Sequence, residues 1–193
     1  MRVGVLALQG AFVEHRHALE RLGHEVVEVR LPDDLASVDA LVIPGGESTT
    51  IGKLLVDYSL LEPIRRRVQE GTPTLGTCAG AIVLAKDIGR DQPLIGTMDM
   101  VVNRNAFGRQ IQSFETDLRI PAIGEKPIRA IFIRAPIITS VGPKAEVLAR
   151  LDDGTIVAAR QGNMVATAFH PELSGDDRFH AYWLETTATA GAR

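Results

Sequence analysis

Apolar positions along the chain recur with two different periods, and the first half alternates between them. Val3–Leu8 is a continuous apolar run closed by Gln9-Gly10, the pattern of a strand buried on both faces. Phe12–Leu22 has helical spacing and stops at Gly23. Glu25–Val29 and Ala40–Ile43 read as further strands, the second closed by Pro44-Gly45-Gly46. A helix is predicted from Thr49 to Gln69, interrupted near Pro63 and ended by Gly71. Pro73–Gly76 reads as a short strand and Ala79–Lys86 as a helix.

Strands alternating with helices predict a parallel sheet covered on both faces. The second half has a different texture. Met98–Asn103, Ser113–Ile120, Arg129–Ile133, Glu146–Leu151, Thr155–Arg160 and Met164–Ala168 are strand-like, and several alternate. Asp153-Gly154 and Gly162-Asn163 are turn signals, and the last two strands read as a hairpin. A final helix is predicted over Asp176–Thr187, followed by a frayed TATAGAR tail. The fold class is therefore α/β: a flavodoxin-like three-layer sandwich with helices on both faces of a mostly parallel sheet and an antiparallel extension in the C-terminal half. No repeat or linker interrupts the pattern, so residues 1–193 are read as one domain.

Composition narrows the function classes. A net charge of −3 provides no basic field for nucleic acid, and the one basic run, Arg65–Arg67, reads as a solvated helix face. A single cysteine rules out an intrachain disulfide and any multi-cysteine metal site. No apolar run is long enough to span a bilayer, and the N-terminus lacks a signal-peptide pattern, so a soluble cytoplasmic protein without metal or cofactor is expected.

That cysteine sits where chemistry is expected. In an open parallel sheet, ligands bind beyond the carboxyl ends of the strands. Four segments fall there: Gln9-Gly10, PGGEST at 44–49, GTCAG at 76–80 and FHPE at 169–172. GTCAG has the G-x-C-x-G form of a nucleophile elbow, a tight strand-to-helix turn that needs small neighbours. It would lift Cys78 out of the sheet and place the Ala79 N–H for an oxyanion. Taken alone, a core cysteine in a glycine-rich turn fits the same five residues. A nucleophilic cysteine needs a base, and of five histidines His170 has the best setting. It follows an apolar strand, and Glu172, two residues on, would share its face in an extended segment and orient the imidazole. His15 and His17 are read as solvated on the first helix, His24 lies in a turn and His180 in the last helix. GGESTTIGK superficially resembles a phosphate loop, but five residues separate Gly46 from Gly52 and Leu54 follows Lys53, so the register fails. PGGEST reads instead as a glycine turn whose Gly46 N–H completes an oxyanion hole with that of Ala79.

PGG, G-x-C-x-G and HPE in that order resemble the class I, triad-type glutamine amidotransferases. LQGAFVEH, PGGESTT, GTCAG, RNAFGRQ, FIRAP and FHPE together resemble, within that group, the glutaminase subunit of pyridoxal 5'-phosphate synthase. The likeness runs from Val3 to Glu172, with one departure at Ala106, where relatives often carry serine. It implies that Cys78 is the nucleophile, His170 the general acid/base and Glu172 its orienting partner. It also implies that Gly46, Glu47, Ser48, Arg104, Ile133 and Arg134 hold L-glutamine, whose ammonium and carboxylate call for an acid and a guanidinium. Glutamine would be hydrolysed to glutamate and ammonia through a γ-glutamyl thioester. The ammonia would pass to a separate (β/α)8-barrel synthase subunit, in a large hetero-oligomer, that builds pyridoxal 5'-phosphate from ribose 5-phosphate and glyceraldehyde 3-phosphate. Gln9 and Gly10 would belong to the docking surface and gate the oxyanion turn. The alternatives are the glutaminase subunit of another amidotransferase, a non-catalytic regulatory relative, a different cysteine hydrolase or redox sensor, and a flavodoxin-like nucleotide binder.

Overall fold

The structure is a computed structural model that describes residues 1–104 and 113–188. Six of the seven residues of RNAFGRQ, Ala106 among them, lie outside the described residues, as do the last five of the tail. Twelve strands are described: β1 (Arg2–Leu6), β2 (Glu25–Val29), β3 (Ala40–Ile43), β4 (Thr74–Thr77), β5 (Ala85–Asp87), β6 (Met98–Asn103), β7 (Ser113–Leu118), β8 (Ile128–Ile133), β9 (Ile137–Val141), β10 (Glu146–Arg150), β11 (Ile156–Gln161) and β12 (Met164–Thr167). The helices are α1 (Phe12–Arg21), α2 (Pro32–Ala36), α3 (Ser48–Asp57), α4 (Leu61–Gln69), α5 (Ala79–Leu84) and α6 (Arg178–Ala188).

The main sheet runs β2-β1-β3-β4-β12-β11-β9-β6-β5, with β10 also paired to β11; β7 and β8 form a separate hairpin. The pairs β2–β1, β1–β3, β3–β4 and β4–β12 are parallel. From β12 outward the pairs β12–β11, β11–β9 and β9–β6 turn antiparallel, and this is the expected extension. Alternate residues of the parallel strands feed two cores. Leu41 and Ile43 pack on one face with Ile51 and Leu55 of α3, Ile64 and Val68 of α4, and α5. Ala40 and Val42 pack on the other with Leu19 of α1, Phe179 and Trp183 of α6, and Ala130 and Phe132 of the hairpin. The sheet is thus covered on both sides, which explains why its central strands are apolar throughout.

Some elements depart from expectation. The helix predicted over 49–69 is two, broken at Ser59, which takes φ 56°. Pro63 does not cause the break. It sits in the first turn of α4, where its missing N–H has no helical partner to lose. The helix after GTCAG ends at Leu84, because Ala85 already has extended dihedrals and begins β5. The Arg65–Arg67 run is not simply solvated: Arg65 donates to the carbonyls of Leu94 and Ile95, and Arg67 to that of Val38. Among the described residues no helix is long and apolar enough to cross a membrane.

Candidate active site

Four chain segments meet at the carboxyl ends of β1, β3, β4 and β12, which are consecutive in the sheet. Cys78 follows β4 with φ 49° and ψ −104°, a conformation that side chains disfavour and that functional turns retain. Its neighbours must be glycine for steric reasons. A Cβ on Gly80 would lie 1.9 Å from the Ile43 carbonyl oxygen, and one on Gly76 2.6 Å from Leu84 and 2.8 Å from the Gly80 backbone. The turn is pinned to β12 by the Cys78 N–H, which donates to the Thr167 carbonyl at 2.8 Å. The thiol is 3.9 Å from the Ile133 carbonyl oxygen, and the residue after it, Arg134, takes φ 45°.

His170 follows β12 on the neighbouring strand, with its N–H donated to Ile131 at 2.8 Å. Its Nδ1 is 2.6 Å from Glu172 Oε1. The two side chains meet through a 3-10 turn over Pro171–Leu173, not through the alternation of an extended strand. All three of Cys78, His170 and Glu172 are buried. Burial disfavours charge on His170, but hydrogen bonds to Cys78 and Glu172, reinforced by their negative charge, push its pKa up to about 10. Burial would likewise raise the Glu172 carboxyl; the imidazoles of His15 and His170 beside it outweigh that and hold it below its usual range. His170 therefore holds its proton near neutral pH, as a general acid beside a cysteine does.

The glycine turn after β3 lies against this pair. A Cβ on Gly45 would come within 2.4 Å of His170 Cε1 and 3.3 Å of Cys78 Cβ. The turn is held from two sides: the Gly45 N–H donates to Thr77 Oγ1 at 3.1 Å, and the Gly45 carbonyl accepts from Ala11 N–H at 3.0 Å. Gln9 Oε1 accepts from the Glu47 N–H at 2.8 Å, and a Cβ on Gly46 would lie 2.4 Å from that oxygen. Gly10, at φ 103°, leaves no room for a side chain, since a Cβ would fall 1.8 Å from the Gly45 carbonyl oxygen. The four segments expected at the strand ends thus converge.

Glu47 has a structural task as well. It caps α3, accepting from the N–H groups of Thr49 and Thr50, and takes a 2.6 Å bond from Arg104, which also donates to Thr49 Oγ1. Burial opposes the Glu47 charge, but the bonds from Thr50 and Thr49 and the Arg104 guanidinium pull its pKa down to about 2. Arg104 and Glu47 meet each other, a pairing that 56 intervening residues concealed. Ser48 is 2% exposed, and its hydroxyl has no hydrogen-bond partner among the described residues. Arg134 is exposed at the rim.

One histidine corrects the sequence reading, and a second joins it. His15, expected to be solvated, is fully buried, and so is His180. His15 Nε2 lies 3.3 Å from Glu172 Oε2 and 3.0 Å from Thr77 Oγ1, and its Nδ1 is 2.9 Å from His180 Nε2. Periodicity offered the signal: His15 lies on the same helix face as the buried Ala18 and Leu19, and His180 on that of Trp183 and Leu184. His17 does face solvent.

Comparison with known proteins agrees with this geometry. The profile of the SNO glutamine amidotransferase family matches residues 5–189. A pyridoxal 5'-phosphate synthase subunit PdxT from Herpetosiphon aurantiacus is 61% identical over 188 residues, covering 95% of this chain and 99% of its own. The protein of the same description from Carboxydothermus hydrogenoformans is 58% identical, covering 96% of this chain and 97% of its own. A crystal structure of a glutamine amidotransferase superposes with a TM-score of 0.91 at 51% identity, covering 96% of this chain and 98% of the other. A GMP synthase subunit from Thermoplasma acidophilum, 18% identical with a TM-score of 0.69, shares the fold. The chain belongs to the SNO glutamine amidotransferase family.

Proposed function

We infer that this chain is a glutaminase, the subunit that supplies ammonia to a pyridoxal 5'-phosphate synthase. Relatives of that description match it over nearly their whole length. The observation that carries the chemistry is Cys78, held at φ 49° with His170–Glu172 beside it.

The Cys78 thiolate attacks the carboxamide carbon of L-glutamine. The carbonyl oxygen becomes an oxyanion that accepts from the N–H groups of Gly46 and Ala79, each such donor being worth about a hundred- to a thousand-fold in rate. His170 gives its proton to the nitrogen, the C–N bond breaks and ammonia leaves a γ-glutamyl thioester. His170 then takes a proton from water, whose oxygen attacks the thioester carbon. The C–S bond breaks, releasing glutamate and restoring the thiolate. Glu172 keeps the imidazole oriented and charged. Ser48, whose buried hydroxyl has no partner among the described residues, joins Gly46, Glu47, Arg104, Ile133 and Arg134 in holding glutamine. With Glu47 already bonded to Arg104, the pair presents an acid and a guanidinium side by side for the ammonium and carboxylate of the substrate.

The ammonia acceptor is a separate (β/α)8-barrel synthase subunit, and the two assemble as a large hetero-oligomer in the cytoplasm. Gln9 and Gly10 touch the oxyanion turn directly, and this supports a gate at the docking surface. The isolated chain is nearly inactive, and docking of the synthase aligns the Gly46 N–H. Glutamine hydrolysis with and without a synthase subunit tests both statements. Turnover that rises on assembly and disappears in Cys78→Ala is expected; full turnover by the isolated chain would refute the gate, and activity surviving in Cys78→Ala would refute the mechanism.

A further inference from the structure

A pair of fully buried histidines stands behind the triad, where the mechanism above does not use them. His15 Nε2 faces two groups at once: Glu172 Oε2 at 3.3 Å and Thr77 Oγ1 at 3.0 Å. Glu172 Oε2 is a buried carboxylate oxygen that makes no well-aligned hydrogen bond among the described residues. Thr77 Oγ1 accepts from the Gly45 N–H, so the same hydroxyl carries the glycine turn. The proton arrangement follows from electrostatics. If His15 Nε2 carried a lone pair, it would face the Glu172 carboxylate in a dry interior. With Nε2–H toward Glu172 and Thr77, Nδ1 accepts from His180 Nε2–H at 2.9 Å. His180 Nδ1, which has no partner among the described residues, then holds a lone pair and not a stranded proton.

We propose that His15, set in place by His180, is a positioning residue for the catalytic machinery: one neutral imidazole N–H holds the outer oxygen of Glu172 and, through Thr77, the glycine turn that carries the oxyanion donor. This rests on the triad reading of Cys78, His170 and Glu172. The two parts of the reaction centre follow different strands, β12 and β3, and His15 on α1 reaches the first directly and the second through Thr77 of β4. Neutrality is the functional point. A permanent cation here would neutralise Glu172 and compete with the proton on His170, whereas a neutral donor orients the carboxylate and leaves its charge for His170. Burial, the largest influence, keeps His15 uncharged, with His170 acting in the same direction against the pull of Glu172 and Glu14. On the far side, Asp177 and Arg21 face His180 with opposite signs and bind each other at 2.7 Å.

The test compares His15→Gln with His15→Met, two unbranched side chains of similar size, of which only glutamine carries a donor. The readout is the rate of Cys78 alkylation by iodoacetamide across pH, which follows the thiolate–imidazolium pair, beside steady-state glutamine hydrolysis in the assembled complex. His15→Met is expected to move the pH at which Cys78 becomes reactive up by about one unit, with alkylation at pH 6 and turnover each down about tenfold. His15→Gln is expected to stay within about threefold of the native chain. Unfolded chain would expose Cys78 as a free thiol and add a separate alkylation phase, so the profile is taken on protein whose circular dichroism matches that of the native chain. Should methionine at 15 prevent folding, Thr77→Val reads the other branch and is expected to lower turnover about tenfold. Native reactivity with unchanged profiles in both variants overturns this inference alone. A native Cys78 no more reactive at pH 6 than a free thiol overturns it together with the triad reading.

Discussion

Cys78 is strained by design of its turn. A non-glycine residue at φ 49° costs about 1–3 kcal/mol, and here the cost is met by pairing to β12 and by close packing of Gly76 and Gly80. Glycine ordinarily destabilises a site relative to alanine, by about 0.5–1 kcal/mol. At this position the order should reverse: Cys78→Gly is expected to be at least as stable to denaturant as Cys78→Ala, and equilibrium unfolding of the two variants measures it. Both lose all glutaminase activity. His170 carries its own prediction. Its pKa near 10 depends on Cys78 as well as Glu172, so imidazole resonances in NMR should report imidazolium well above neutrality in the native chain and a lower midpoint in Cys78→Ala. These residues were legible in the sequence because G-x-C-x-G and His-Pro-Glu are local patterns. His15 was not read correctly, since a histidine on an amphipathic helix is solvated or buried according to which stripe it joins, and the apolar stripe of α1 was the deciding feature.

At the scale of elements, the two crowded glycines separate stability from activity. Gly80 opens α5 in the core, and a methyl there collides with the backbone of β3. Gly80→Ala is expected to destabilise the fold by about 3 kcal/mol or more, read by thermal and denaturant unfolding. Gly10 is exposed on the loop before α1, and its methyl would collide with the Gly45 carbonyl. Gly10→Ala is therefore expected to cost only about 1–2 kcal/mol of stability while displacing the glycine turn, with turnover in the assembled complex falling about a hundredfold. The elements themselves were largely legible. β2, β3 and β6 fall on the residues that periodicity assigned, because each is a short run bounded by turn formers. α2 and β9 were missed. α2 is a five-residue turn fixed by Pro32 and by Asp34 accepting from the N–H groups of Arg30 and Leu31. β9 follows Pro136 too closely for a separate apolar run to show.

At the scale of the molecule, the decisive fact is one that local patterns do not contain. β12 pairs in parallel with β4, so Thr77 and Thr167 are register partners and Cys78 and His170 emerge side by side from strands about ninety residues apart in sequence. Strand order is a long-range property, and only the family resemblance stood in for it. The same topology buries His15 and His180 between α1, α6 and the sheet, and this gives the whole fold a pH dependence. Burial, the largest influence on both, lowers their pKa values from 6.5, that of His180 to about 3. The unfolded chain therefore binds protons below pH 6.5 that the folded chain refuses. The stability from keeping these rings neutral is fully present above 6.5 and is lost progressively as pH falls toward 3. Each refused proton steepens the fall by up to about 1.4 kcal/mol per pH unit. Glu172, held low, adds to the loss only below its ordinary 4.5. His180→Gln keeps a donor toward His15 but cannot titrate. Urea unfolding at pH 7, 6 and 5 should therefore show a shallower decline for His180→Gln than for the native chain, with the two curves converging in slope above pH 7. Parallel curves between pH 6 and 5 would mean that His180 binds its proton as readily in the folded chain as in the unfolded one.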